Sequence, residues 1–225
     1  TKCYSLVQSM VAQVAQPVLV SLNGEQGRQM DVFRKMMRFT SFITFPLMFG
    51  FGLVAKEFIV IAIGEKWLAS AELIQILCVS GATMPLATLF SNMIISKGRS
   101  GTFFWCTFSL GLVQIITMLL IWQWGIRSMV IAYMLINTSW LLVWLFFVRR
   151  LTGYGYWRFF CDVMPFALAA AGVMAASYAA TLSLSNLWAL LISRFVIAAT
   201  LYYIVMKVAR VKILKECERF VFKHK

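Results

Sequence analysis

Acidic residues are scarce in this chain: eight Asp and Glu stand against 21 Lys and Arg, and between Glu72 and Asp162 there is none. Charged residues of both signs make up only 13% of the 225, and the one histidine, His224, sits beside the C-terminus. Each shortage excludes something. A soluble domain with so little charge has no means of covering its own surface, so lipid is the solvent that fits. General acid–base catalysis needs titratable groups gathered at one depth. Here Glu57, Glu65 and Glu72 fall toward one boundary, Asp162 lies just beyond a basic loop, and no histidine accompanies them. There is no H-E-x-x-H, P-loop or G-x-S-x-G pattern. The five cysteines (Cys3, Cys78, Cys106, Cys161, Cys217) form no CxxC pair and read as small packing or lipid-facing residues. The chain therefore reads as no enzyme, with no cofactor and no metal.

What is present is hydrophobic sequence: 61% of residues, with a mean hydropathy of +0.82. The stretch Phe39–Trp67 is uncharged from Phe39 to Ala55 and broken only by Lys56-Glu57 before Glu65-Lys66. An α-helix rises about 1.5 Å per residue, so about 20 apolar residues cross a hydrocarbon core of about 30 Å. Lipid offers no water to bond backbone amides, so such a segment crosses as a helix.

Read in order, the pattern predicts seven crossings: Thr1–Leu22, Ser41–Ile63, Ser70–Ser96, Thr102–Trp124, Ser128–Val148, Cys161–Leu184 and Leu187–Met206. Between them stand a linker at Asn23–Arg38, turns at Gly64–Ala69, Lys97–Gly101 and Gly125–Arg127, and a basic loop at Arg149–Phe160. Gly98 and Gly125 read as turn residues. Pro46, Pro85 and Pro165 are expected to kink their helices. The tail from Lys207 spaces Val208, Val211, Leu214, Cys217 and Val221 three or four apart among basic residues, an amphipathic helix on the membrane surface. The whole is an all-α, polytopic membrane helix bundle.

A formal net charge of +13 raises the question of nucleic acid. The Lys and Arg instead gather in the gaps between apolar runs, the pattern of a membrane protein obeying the positive-inside rule. Alternate gaps hold sixteen Lys and Arg on one side against four on the other, with Arg194 left inside a helix. That bias places the linker, the basic turns and the C-terminus in the cytoplasm. Thr1 is not Met, and residues 1–22 lack the basic n-region and cleavage site of a signal peptide, so the sequence is expected to start partway through a longer protein.

One ordered set of short motifs carries a resemblance. Pro17-Val18-Leu19, Phe33-Arg34-Lys35, Phe42-Ile43-Thr44-Phe45-Pro46-Leu47, Gly64-Glu65-Lys66-Trp67, Leu73-Ile74-Gln75-Ile76-Leu77, Pro85-Leu86 and Lys97-Gly98-Arg99-Ser100 follow in order. In that order and spacing the chain resembles the Wzx-type polysaccharide flippases of the multidrug/oligosaccharidyl-lipid/polysaccharide (MOP) superfamily. The resemblance implies a fourteen-helix transporter of two six-helix bundles plus a final pair. Seven crossings that start outside and end inside match helices eight to fourteen. Residues 1–148 would then belong to the second bundle, 149–206 to the final pair, and 207–225 to a cytoplasmic tail.

The resemblance further implies transport of an undecaprenyl-diphosphate-linked oligosaccharide to the outer leaflet of a bacterial inner membrane. Its partners would be that lipid-linked substrate, membrane lipids and other polysaccharide-assembly membrane proteins, not nucleic acid. A multidrug antiporter of the same superfamily and an integral-membrane glycan polymerase or ligase are the alternatives. An antiporter would be expected to carry a carboxylate inside the bundle, and none is visible at mid-depth.

Candidate cavity residues are Gln8, Gln13, Gln16, Asn92 and Asn137. Gln8, Gln13 and Gln16 share one polar arc with Ser5 and Ser9, which suits either a wet cavity or interhelical hydrogen bonds. Asn92 and Asn137 carry the same two readings. Lys97 and Arg99 are candidates for the anionic headgroup of a lipid-linked sugar, though the positive-inside bias accounts for them equally. Arg194 must snorkel, pair or face water. A guanidinium fork matches a diphosphate, but a place in the final helix pair favours a lipid-headgroup anchor.

Overall fold

The structure, a computed structural model, describes residues 15–181 and 187–208. Six long helices occupy nearly all of them: α1 Gln26–Ala62, α2 Leu68–Ser96, α3 Ser100–Ile121, α4 Gly125–Thr152, α5 Tyr156–Ala180 and α6 Leu187–Val208. Single 3-10 turns, Glu65–Trp67 and Trp122–Trp124, precede α2 and α4. Of the first predicted crossing, residues 15–21 are described and are helical. Its first fourteen residues, with Gln8 and Gln13, lie outside the described residues, as do 182–184 of the sixth crossing and residues 209–225 of the predicted surface helix, whose first two residues continue α6.

The helix ends alternate, so Gln26, Ser96, Ser100, Thr152, Tyr156 and Val208 share one end of the bundle, called here the basic end. The turns hold where glycine was expected. Gly98 and Gly125 sit at φ 71° and 86°, left-handed backbone that a side chain disfavours.

Two expectations are corrected. Asn23–Arg38 is not a linker: α1 begins at Gln26 and runs 37 residues without a break, about 55 Å at helical rise. Hydropathy reads Arg28, Arg34, Lys35 and Arg38 as loop, yet Arg and Lys are good helix formers, and the apolar stripe continues beneath them. Gln29, Phe33, Met37, Thr40, Ser41 and Thr44 are all buried at spacings of one, three or four residues. Likewise Arg149–Phe160 is not a long loop. α4 continues to Thr152, α5 starts at Tyr156, and only Gly153–Gly155 connects them. Pro46, Pro85 and Pro165 all lie inside helices.

α1 and α2 form the centre. α1 packs on α2, α5 and α6, α2 packs also on α4, and α3 leans on α4. The core is a band of Phe33, Met37, Leu86, Leu89, Phe90, Met93 and Leu145, each at most 1% exposed. By contrast α3 is nearly bare: Cys106 is its one buried residue. Phe104, Trp105, Leu119, Leu120 and Trp124 are all exposed. In water such a surface would be untenable. The chain is a multi-pass membrane protein.

Candidate functional site

Proline removes a backbone donor, so in α1 Pro46 leaves the Phe42 carbonyl without its helical partner. The Tyr202 hydroxyl of α6 donates to that carbonyl at 2.9 Å. In lipid an orphaned carbonyl is costly, so this bond joins two elements by repairing a local defect. A second cross-helix bond runs from Gln75 Nε2 of α2 to the Gly52 carbonyl of α1 at 3.0 Å. Where the 15–21 helix ends, Gln29 Nε2 donates to the open Leu19 carbonyl at 2.7 Å and to Ser96 Oγ at 3.3 Å.

Two ionic clusters stand at opposite ends of α1. At the basic end Asp162 of α5 is fully buried. Arg34 donates to its two oxygens from Nε at 2.9 Å and Nη2 at 3.1 Å, a bidentate fork. Arg38 Nε donates at 2.7 Å, and the Tyr154 hydroxyl completes the shell at 3.0 Å. Tyr154 comes from the short α4–α5 connection and is itself fully buried, edge-on to Phe33 with ring centroids 5.6 Å apart. Burial, with the Asp162 carboxylate beside it, pushes the Tyr154 phenol well above its ordinary range, so it stays a donor. One carboxylate against two guanidinium groups leaves this cluster net positive.

At the opposite end Glu57 of α1 and Arg194 of α6 are both buried, each 7% exposed. Arg194 Nη1 meets Glu57 Oε1 at 2.5 Å and the Leu53 carbonyl at 3.4 Å. Its Nε donates to Thr181 Oγ1 at 3.1 Å, and its guanidinium lies over the Tyr178 ring at 5.0 Å. Glu57 Oε2 is buried with no hydrogen-bond partner among the described residues. These groups hold helices together. Among the described residues no set of His, Cys, Asp and Glu could hold a metal.

The sequence candidates fall differently. Arg194, expected at a lipid headgroup, is instead enclosed between α1, α5 and α6 and paired. Its one long apolar neighbourhood made an anchor the simpler reading, because the Glu57 partner is invisible without the fold. Asn92 is buried, its Nδ2 unpartnered. Asn137 Nδ2 donates back to the Tyr133 carbonyl at 2.8 Å within α4. Asn92 lies about 6 Å and Asn137 about 22 Å along their helices from the basic end, and no hydrogen bond joins them among the described residues. Gln16 is exposed. Lys97 is half-buried, lining a small pocket with Gln29, Met30, Met93 and Thr152, whereas Arg99 is exposed. Sequence reading missed Asp162, Glu57 and Tyr154. The available signal was the rule that an acid within an apolar run must find a cation.

Residues 1–72 match a family described as "Polysaccharide biosynthesis protein". The chain is 28% identical over 100 residues to the teichuronic acid biosynthesis protein TuaB of Bacillus subtilis, covering 44% of this chain and 21% of TuaB. It is 28% identical over 95 residues to an uncharacterized membrane protein in the cps region of Klebsiella pneumoniae, covering 42% and 20%. The lipopolysaccharide biosynthesis protein WzxC of Escherichia coli is 23% identical over 90 residues, covering 40% and 18%. Among solved structures, the lipid II flippase MurJ in its inward closed conformation superposes with a TM-score of 0.74 at 16% identity. That match covers 94% of this chain and 46% of MurJ. The chain thus spans about a fifth of the length of the curated relatives it matches and about half of the solved flippase. It resembles the Wzx-type polysaccharide flippases over part of its sequence, and almost throughout it shares the polytopic helical fold of that solved flippase.

Proposed function

We propose that this chain is part of a transporter that moves an undecaprenyl-diphosphate-linked oligosaccharide from the cytoplasmic to the outer leaflet of a bacterial inner membrane. The single observation that carries the reading is a conjunction. Sequence relatives named for teichuronic acid and lipopolysaccharide biosynthesis converge with a fold match to a lipid II flippase. In this reading no bond is made or broken. Two helical bundles rock about a polar cavity, the glycan passes through it, and the lipid tail stays in the bilayer.

The basic end, with Arg28, Arg34, Lys97, Arg99, Arg149 and Arg150, faces the cytoplasm, on the strength of the positive-inside rule. In this reading residues 1–148 belong to one transport bundle and 149–206 form a terminal pair, docked on α1 through the two ionic clusters. Gln16, Asn92 and Asn137 are carried forward as cavity candidates, and Lys97 and Arg99 as headgroup contacts.

A multidrug antiporter is the second reading. One feature favours it: Glu57 is a buried carboxylate within the bundle. Against it, that carboxylate is already taken up by Arg194. The test is deletion of the complete gene. Accumulation of lipid-linked repeat units on the cytoplasmic face, reversed by complementation, is expected. Unchanged glycan export with raised drug sensitivity would overturn the flippase reading in favour of the antiporter.

A further inference from the structure

The middle of α1 is its weakest stretch, yet the fold fastens it on both sides. Pro46 leaves one rung of the helical ladder empty, and Gly50 and Gly52 follow within two turns. A helix of 37 residues interrupted in this way bends most readily at the interruption. Three polar contacts with α5 and α6 are spread along it. Arg34 and Arg38 reach Asp162 of α5 about 12 to 18 Å to one side of Pro46. Glu57 meets Arg194 of α6 about 17 Å to the other side. Between them Tyr202 of α6 donates to the Phe42 carbonyl at the break itself.

A hinge is locked when both arms and the pivot are fastened to one body, and α5 and α6 are joined to each other. Arg194 Nε donates to Thr181 Oγ1 at the end of α5, and the same guanidinium lies over Tyr178 of α5. At the pivot the Phe42 ring touches both helices. Phe166 of α5 stands edge-on to it with centroids 6.2 Å apart, and Tyr202 of α6 lies 5.7 Å away. The ion pairs that reach a buried carboxylate, at Asp162 and at Glu57, both tie α1 to this pair of helices. α2, the other large neighbour of α1, adds one hydrogen bond beyond the break, from Gln75 to the Gly52 carbonyl.

We propose that α5 and α6 act as a splint: their three-level clamp holds the proline break of α1 shut, so that α1 moves as one rigid lever from the basic end to the opposite end. The role is mechanical and depends on no particular substrate.

The test is pulsed electron spin resonance on the full-length protein in nanodiscs, with all five native cysteines replaced. Labels go on Gly27→Cys, where an added side chain meets open space, and on Arg158→Cys, exposed in the first turn of α5. Bending α1 by about 20° at Pro46 swings the Gly27 end about 10 Å sideways on an arm of about 28 Å. The otherwise unchanged protein should give one narrow distance distribution. Asp162→Asn with Tyr202→Phe should broaden it toward that displacement, and Tyr202→Phe alone should broaden it less. The same changes combined with Pro46→Ala should return the narrow distribution, because alanine restores the missing N–H.

An unchanged distribution in both variants would show that α2 alone holds the break, and would overturn the proposal. Equal broadening with and without Pro46 would put the looseness somewhere other than the break, and would overturn it too. Should the Asp162→Asn variant fail to elute as a single folded species, Tyr202→Phe compared with Tyr202→Phe/Pro46→Ala decides by the same two criteria.

Discussion

Glu57 and Arg194 lie 137 residues apart in the chain and meet at 2.5 Å inside the bundle, the only buried contact Glu57 makes through its carboxylate among the described residues. Removing one partner of a buried pair strands the other, which costs about 3–5 kcal/mol, whereas replacing both with apolar groups is often neutral. Arg194→Met and Glu57→Leu should each lower the thermal stability of the purified protein markedly, and the double variant should recover most of the loss. A double variant as unstable as the sum of the singles would show that the two residues act independently.

The Asp162 cluster behaves asymmetrically. Asp162→Asn leaves both Arg34 and Arg38 without their carboxylate, while Arg34→Gln leaves Arg38 and Tyr154 still bound to it. Denaturation in detergent should rank Asp162→Asn well below Arg34→Gln, by about 2 kcal/mol. Equal losses would contradict a shared carboxylate.

Tyr202 and Pro46 make a testable pair. Tyr202→Phe removes the donor to the Phe42 carbonyl and should cost about 1 kcal/mol. In a Pro46→Ala background alanine restores the helical N–H, so the same change should cost distinctly less. Stability measured across the four-variant cycle decides it.

Asp31 is exposed on the early part of α1. Proline there should cost about 3 kcal/mol or more, as in any helix interior. Were Asn23–Arg38 a loop, Asp31→Pro would be close to neutral. Circular dichroism and melting of the variant separate the outcomes.

Sidedness is open to direct labelling. After replacing all five native cysteines, single cysteines at Arg99 and Arg150 should react with an impermeant maleimide only in inverted vesicles. One at Gln123 should react only in intact cells. The reverse pattern would invert the orientation.

Much was legible in the sequence because lipid allows only one local solution. Uncharged runs of about 20 residues have to be helices, and Gly98 and Gly125 mark turns that left-handed backbone requires. The linker at Asn23–Arg38 misled for a related reason. Hydropathy detects where lipid ends, not where a helix ends, and α1 runs on into water on a stripe that includes Phe33 and Met37.

The sequence by itself determined that the described residues form successive long apolar helices and that positive charge gathers at one end of them, since both follow from each segment's own solvation. Tertiary structure alone decided the partners. Asp162 could have paired with any arginine, and Arg194 read as a lipid anchor, because a charge's favourable position in low dielectric depends on a partner more than 120 residues away. Local patterning carries no record of that distance.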